Sequence, residues 1–403
     1  MKKKQGRIVL SLAAAAFMAA SPISALADSP EFAYDEATWA RLRDNVMEYD
    51  ELAMLVQEYN PSYLNNLASY RDGKSTEDAR EVRDKQYENA YDAYDSAENL
   101  REQADDLEES GALASSEMAS VYSGLMSAAI MMEQTALKTE QSADASYRDS
   151  EMDTLDYRNG QNAIIVQTQG LFASYNQVLA TIGTIEKNIE VARAGVDATQ
   201  RQVQLGMATQ ADFLNAQKNL QSLESTYTQT QASLESLRQQ LCLMTGWQYN
   251  DQPEIRSLPE ADLSRIEAMN PDVDVQTALN ENLSLKSNRR AYENMAEGSA
   301  DKKNMERTIK NQEESIKAGV RNLYNDVLQK RTALQSAQAA FDTETAAMKA
   351  AETKYQLGMI GQMEYLQEQA AFAGSQSNVE TANMNLQQAI ELYEWALKGY
   401  MNV

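Results

Sequence analysis

The side chains able to do chemistry in this chain are overwhelmingly carboxylates. It carries 60 Asp and Glu, no histidine, and one cysteine. Without histidine there is no imidazole to act as zinc ligand, triad base or proton shuttle. Two carboxylates can work as an acid and base pair, but only where burial separates their pKa values, and here they lie along polar, helix-like sequence. Neither Gly111 nor Gly124 opens a phosphate-cradling loop, since neither is followed by Lys-Ser or Lys-Thr. Cys242, inside Leu241-Cys242-Leu243-Met244, reads as a buried small apolar residue, and a lone cysteine excludes an intrachain disulfide. These residue types predict a protein that is not an enzyme and needs no cofactor or metal.

What the chain does contain is a repeated turn. Leu205-Gly206-Met207-Ala208-Thr209-Gln210-Ala211-Asp212-Phe213-Leu214 is echoed by Leu357-Gly358-Met359-Ile360-Gly361-Gln362-Met363-Glu364-Tyr365-Leu366, 152 positions later. Gly206 and Gly358 suit the left-handed residue that ends a helix, with Thr209 or Gln362 near the start of the next. The unit is helix, tight turn, helix, in two copies.

Heptads run into and out of each turn. Ahead of the first are Ile182, Ile185, Ile189, Ala192, Val196, Thr199 and Val203, at spacings of three and four. Beyond it run Phe213, Ala216, Leu220, Leu223, Tyr227, Thr230, Leu234, Leu237, Leu241 and Met244. The second copy keeps the phase from Leu334 through Phe341, Met348 and Tyr355, then from Tyr365 through Phe372, Val379, Leu386 and Tyr393, with Glu344, Glu368 and Ser375 weakening it. A strict seven-residue period makes antiparallel helices supercoil left-handed, and roughly 40 residues on each side of a turn reach about 60 Å. No proline falls between Pro61 and Pro253 or after Pro271, so nothing interrupts these helices.

The fold class is therefore all-α: long antiparallel coiled-coil hairpins in two tandem repeats. Repeat 1 is assigned to residues 28–250, a proline-containing linker to 251–271 and repeat 2 to 272–403. Matching Asn60-Pro61 with the start at Pro271 leaves repeat 1 about 60 residues longer, a helical insertion near 75–135 bending at Ser110-Gly111. Its acidic, Tyr-rich run from Tyr87 to Asp106 reads as a solvated helix face. Residues 118–132 are uncharged but too short to cross a membrane, and read as an amphipathic or buried helix.

Lys2, Lys3, Lys4 and Arg7, an apolar run from Ile8 to Ala20 and the close Ala25-Leu26-Ala27 read as a signal peptide over residues 1–27, which predicts export to the cell envelope. An uncleaved anchor is the other reading of that run. Cleavage would remove four of the 36 basic residues and no acid, taking the net charge from −24 to about −28. Such a charge argues against nucleic acid or an anionic membrane as partner. It suits a solvated surface or the lining of a cation-favouring passage.

Two turns of the form L-G-x5-[DE]-[FY]-L-x2-Q, each closing a long antiparallel pair, resemble those of the TolC-like outer-membrane efflux family. Glu51 to Pro61 looks like that family's opening helix with its Asn-Pro, and Leu241 to Gly246 like the ending of its repeat. The resemblance implies a homotrimer whose hairpins close a hollow helical barrel. This would be the exit duct of an efflux or secretion system, fed by an ABC- or RND-type pump through a periplasmic adaptor. It places Leu205, Gly206, Met207, Thr209, Leu357, Gly358 and Met359 at an adaptor-docking tip. Asp212 and Glu364 would form an acidic ring just inside, and Tyr355 an aromatic position at the tip's gate. The chain departs from the family in two ways. Ile360 stands where some relatives have a basic residue. In addition, 146–161 and 298–307 lack the alternating strands that would build a membrane barrel. Membrane contact is thus left open, as is a second reading, an exported coiled-coil scaffold or a partner of a transporter or wall enzyme, without a channel.

Overall fold

The computed structural model describes residues 34–73, 78–110 and 115–401. The signal-peptide reading lies outside these residues. Short elements come first: α1 (Glu36–Leu42), β1 (Val46–Met47), α2 (Leu52–Tyr59) and α3 (Pro61–Gly73). A hairpin follows, α4 (Ala79–Glu109) and α5 (Ser116–Ala145), then the first long pair, α6 (Ser150–Gln204) and α7 (Gln210–Met244). The connection carries β2 (Glu254–Ile255) and α8 (Leu263–Ala268); α9 (Pro271–Glu281) and α10 (Leu283–Asn294) lead into the second pair, α11 (Ala300–Gln356) and α12 (Gln362–Leu397). The fold is all-α, as the heptads predict. Among the described residues the only strands are β1 and β2, two residues each, paired in parallel. Residues 150–161 and 300–307, at the places where a barrel hairpin would enter, are helical.

The four long helices lie side by side in the order α7, α6, α12, α11. Burial follows from that order. Along α7 from Phe213 to Leu234 the residues shielded from solvent are the heptad positions, with Glu224 the one addition. One stripe serves its one neighbour, α6. On α6 the heptad residues Ile182 to Val203 are shielded, and so is a second row containing Thr184, Lys187, Ala194 and Ala198. That row faces α12, where Thr184 Cγ2 lies 3.7 Å from a Cβ placed on Gly374 and Met363 reaches Gly195. On α11, residues 329–356 again present a single stripe, with Phe341 packed on Phe372 of α12 at 5.3 Å between ring centres.

The wall thickens at the end away from the Gly turns. Phe172, Leu241, Cys242, Trp247 and Met384 pack with Leu42, Met47, Leu52 and Leu55, while Ile316, Val320, Val327, Leu386 and Ile390 pack with Val275, Leu279 and Leu285. Cys242 is buried and free. The connection runs across α12, held by Ala261 N–H donating to Asn383 Oδ1 at 3.0 Å and by Arg265 between Glu391 and Glu394.

Each repeat is closed by a glycine. Gly246, after α7, has φ 85°, and a Cβ there would stand 2.1 Å from Cβ of Tyr59. Gly399, after α12, has φ 95°, and a Cβ there would stand 2.2 Å from the Glu281 carbonyl oxygen. Tyr59 and Glu281 immediately precede matching helix caps: Asn60 Oδ1 accepts from Tyr63 N–H at 2.9 Å and Asn282 Oδ1 from Leu285 N–H at 2.8 Å. Cross-links complete the match, Asn60 Nδ2 donating to the Met244 carbonyl and Leu283 N–H to the Gly399 carbonyl. The counterpart of Asn60 is therefore Asn282. Pro271, which the Asn-Pro pattern pairs with Pro61, begins the preceding helix, and Asn270 makes no side-chain cap there. On this alignment α3 matches α10, and the whole α4/α5 hairpin occupies the place taken by the short loop 295–299 in the second repeat.

Two predictions follow from this base. Gly246→Ala must accommodate both a left-handed backbone and a clash with Tyr59, so it lowers stability by about 2 kcal/mol or more, whereas Gly206→Ala, with open space at its Cβ, costs about 1 kcal/mol. Comparable urea midpoints for the two variants would contradict this assignment. Glu51, 2% exposed, accepts from Glu48 N–H at 2.9 Å and lies 3.6 Å from Arg41, but loss of hydration outweighs both and pushes its carboxyl up to about 7. The folded state thus holds a proton that the unfolded chain releases, so this contribution is complete below the ordinary carboxylate range and is lost as pH rises through about 7. Glu51→Gln, which keeps the acceptor oxygen, raises the thermal midpoint at pH 8 and leaves it nearly unchanged at pH 4. An equal shift at both pH values would contradict this.

Candidate functional site

The two Gly turns sit at the same end of the wall. The register fixed by Thr184 against Gly374 and Gly195 against Met363 runs α6 and α12 antiparallel, so α6 and α11 both end there. Extending that register sets the Gly358 turn about six residues, or roughly 9 Å, short of the Gly206 turn.

Local sequence dictates their shape. Gly206 (φ 72°) donates to the Val203 carbonyl, and Met207 N–H to the Gln202 carbonyl at 2.7 Å. Gly358 (φ 71°) donates to Tyr355, and Met359 N–H to Lys354 at 2.7 Å. Both are the six-to-one closure of a helix by a left-handed glycine. In each, the residues flanking the glycine are thrown outward: Leu205, Met207, Leu357 and Met359 are 73%, 75%, 69% and 68% exposed. Exposed large apolar side chains are ordinary when scattered. Two Leu-Gly-Met knobs in one geometry at one end are not scattered.

Past the glycines the turns diverge. Thr209 caps α7: its Oγ1 accepts from Asp212 N–H at 3.2 Å, and Asp212 Oδ2 accepts from Thr209 N–H at 2.8 Å and from its hydroxyl at 2.7 Å. These hydrogen bonds, the hydroxyl's first, hold the exposed Asp212 carboxyl below its ordinary range. Its carboxylate is thus engaged with its own helix start, a role legible in the spacing Thr-x-x-Asp. In the second copy Gly361 stands at the cap and offers no side chain, and Glu364 is exposed. There Tyr355 stacks on Tyr365, ring centres 4.5 Å apart and planes within 4°, where the first turn has Val203 and Phe213. Tyr355 is 40% exposed. The pair sits one turn below Gly358 and braces α11 against α12. Neither sequence spacing nor composition singled out Tyr365 as its partner.

No family model matches the sequence, and no curated protein matches it. Solved structures do. The outer-membrane channel OprN aligns over 91% of this chain and 93% of its own with a TM-score of 0.54 at 12% identity. The chain has the fold of OprN. The resemblance to TolC-like efflux proteins therefore holds at the level of the fold. The outer membrane channel CmeC of Campylobacter jejuni is similar over 65% of this chain and 68% of its own (TM-score 0.45, 14% identity), and the outer membrane protein VceC of Vibrio cholerae over 63% and 75% (TM-score 0.41, 13% identity).

The asymmetry of the caps is open to test by amide hydrogen exchange. Thr209→Ala removes a cap worth about 1 kcal/mol and speeds exchange over the first turn of α7, whereas Gly361→Ser slows it by a few tenths of a kcal/mol over the first turn of α12. Unchanged exchange in both variants would deny the caps any part in ordering the turns.

Proposed function

We propose that this protein is the exit duct of an efflux or secretion system, a homotrimer of helical walls closed into a barrel and docked by its Gly turns onto a periplasmic adaptor. One observation carries the reading: a single-layer wall bears the same apolar-knobbed turn twice at one end, and over the length near the turns, Phe213 to Leu234 of α7 and residues 329–356 of α11, each outer helix buries one stripe only. The outer flanks of α7 and α11 are not alike, so joining α7 of one copy to α11 of the next is a head-to-tail contact, the kind that makes a ring when the rotation between copies closes. The fold shared with an outer-membrane channel supports this reading. Transport energy would come from an ABC- or RND-type pump.

At the docking end, Leu205, Met207, Leu357 and Met359 would be the residues an adaptor hairpin grips, with Gly206, Gly358 and Thr209 setting the turns' shape. Asp212, Glu364 and Tyr355 would line the tip. Asp212 does so as a fixed charge tied to Thr209, Glu364 as an exposed carboxylate. The net charge favours cations in such a passage. A cell-envelope location goes with this role.

Negative-stain images and mass measurement of residues 28–403 test the assembly. Hollow three-fold cylinders are expected, and solid monomeric or dimeric rods would instead favour the scaffold reading. Met207→Asp with Met359→Asp is expected to weaken adaptor binding at least about tenfold by desolvating a charge at the contact while circular dichroism is unchanged. Undiminished binding would remove the turns from the docking surface.

A further inference from the structure

The α4/α5 hairpin stands apart from the wall. Its root is anchored: Arg83 donates to the Asn294 carbonyl, and Asp149, the cap of α6, accepts from Arg290 Nε and Asn294 Nδ2, both at 2.6 Å. Beyond the root its packing is on itself. The seam is alanine: Ala90, Ala97 and Ala104 on α4 and Ala129, Ala136 and Ala143 on α5, each at most 2% exposed and seven residues apart. Small residues at this period draw two helices close together, and leave the larger side chains beside the seam uncovered.

The two flanks of that seam differ. On one, Arg101 pairs with Glu133 at 2.7 Å, Tyr94 donates to Glu140 at 3.3 Å, and Tyr87 donates to Asp144. On the other, α5 carries Met118, Val121, Leu125, Ala128 and Met132 at spacings of three and four. Helical periodicity puts the half-buried Leu100 and Leu107 of α4 on that same side. Met118, Val121 and Met132 are 41%, 48% and 41% exposed. No charged residue falls between Glu117 and Glu133, whereas the hairpin from Ala79 to Ala145 holds fifteen acids against five bases.

We propose that this flank is a self-association surface, on which α5 of one copy packs parallel to α5 of another, so that equal positions meet along the stripe. Charge selects the occupant. An anionic membrane surface or an acidic partner would be repelled by the hairpin's own carboxylates. A second copy meets the stripe with its uncharged flank and keeps both acidic faces in water. The heptad spacing supplies interlocking positions, Met118, Leu125 and Met132 in one set and Val121 and Ala128 in the other. The contact requires more than one copy of the chain, as the duct reading does, but not that the copies form a duct.

Single cysteines on the surface test it in the full chain, with buried Cys242 retained and the parent chain as control. After mild oxidation, Val121→Cys and Met132→Cys are expected to give at least about tenfold more inter-chain disulfide than Ser127→Cys on the opposite face of α5, because only core positions come within disulfide reach. Adding Leu125→Glu to Val121→Cys abolishes that cross-link while helicity holds. Mass photometry separates the two readings. An oligomer that cross-links no better at 121 and 132 than at 127 overturns this proposal and leaves the duct standing, whereas a monomer at every concentration overturns both. Binding to neutral phosphatidylcholine vesicles without inter-chain cross-links would assign the stripe to lipid and overturn it too.

Discussion

A helix in a single-layer wall has two flanks to bury, and its sequence decides how many of them are apolar. On α7 and the outer half of α11 the heptad supplies one stripe. On α6 a second row is added, of small side chains apart from Lys187, and α12 packs against it. That difference fixes which helices are inner and which are outer. The strict seven-residue period then keeps each stripe facing its neighbour over the length of the pair, through gentle supercoiling. The turns come together at one end, and the core gathers at the other, because of this lateral order.

The same period explains how much was legible. Heptads, absent prolines and the echoed Leu-Gly-Met gave the all-α class, the long pairs and the exposed turns, since each of these is a local property. The equivalence of the repeats was misleading. Asn270-Pro271 looks like Asn60-Pro61, and proline at the first helical position is a real start signal. What aligns the repeats is the approach of Gly246 to Tyr59 and of Gly399 to Glu281, contacts between segments more than a hundred residues apart that leave no mark in local pattern. The stack of Tyr355 on Tyr365 was hidden for a simpler reason, that heptad position says which residues face a partner helix but not which rings meet.

The candidate tip shows how a duplicated unit acquires distinct halves. Both copies keep the glycine and its apolar flanks, where backbone geometry leaves little freedom. They differ in what orders the next helix, a reciprocal Thr209–Asp212 pair in one and a tyrosine stack below the turn in the other. A partner gripping both turns would meet one whose start is held by hydrogen bonds and one whose start carries no side-chain cap. The acidic residue six positions after each glycine is likewise not equivalent, being tied to Thr209 in the first copy and exposed in the second.

The continuity of α6 and α11 has a mechanical consequence. Each runs unbroken from the packed base to its turn, and roughly 28 of its residues, about 42 Å, extend beyond that base. A rotation of about 5° where the helix is gripped by the core would sweep the turn through about 4 Å, roughly the rise of two to three helical residues. Adjustments too small to disturb side-chain packing at the base are thereby magnified into displacements a partner can register, with the lateral stripes forcing neighbouring helices to move as a sheet.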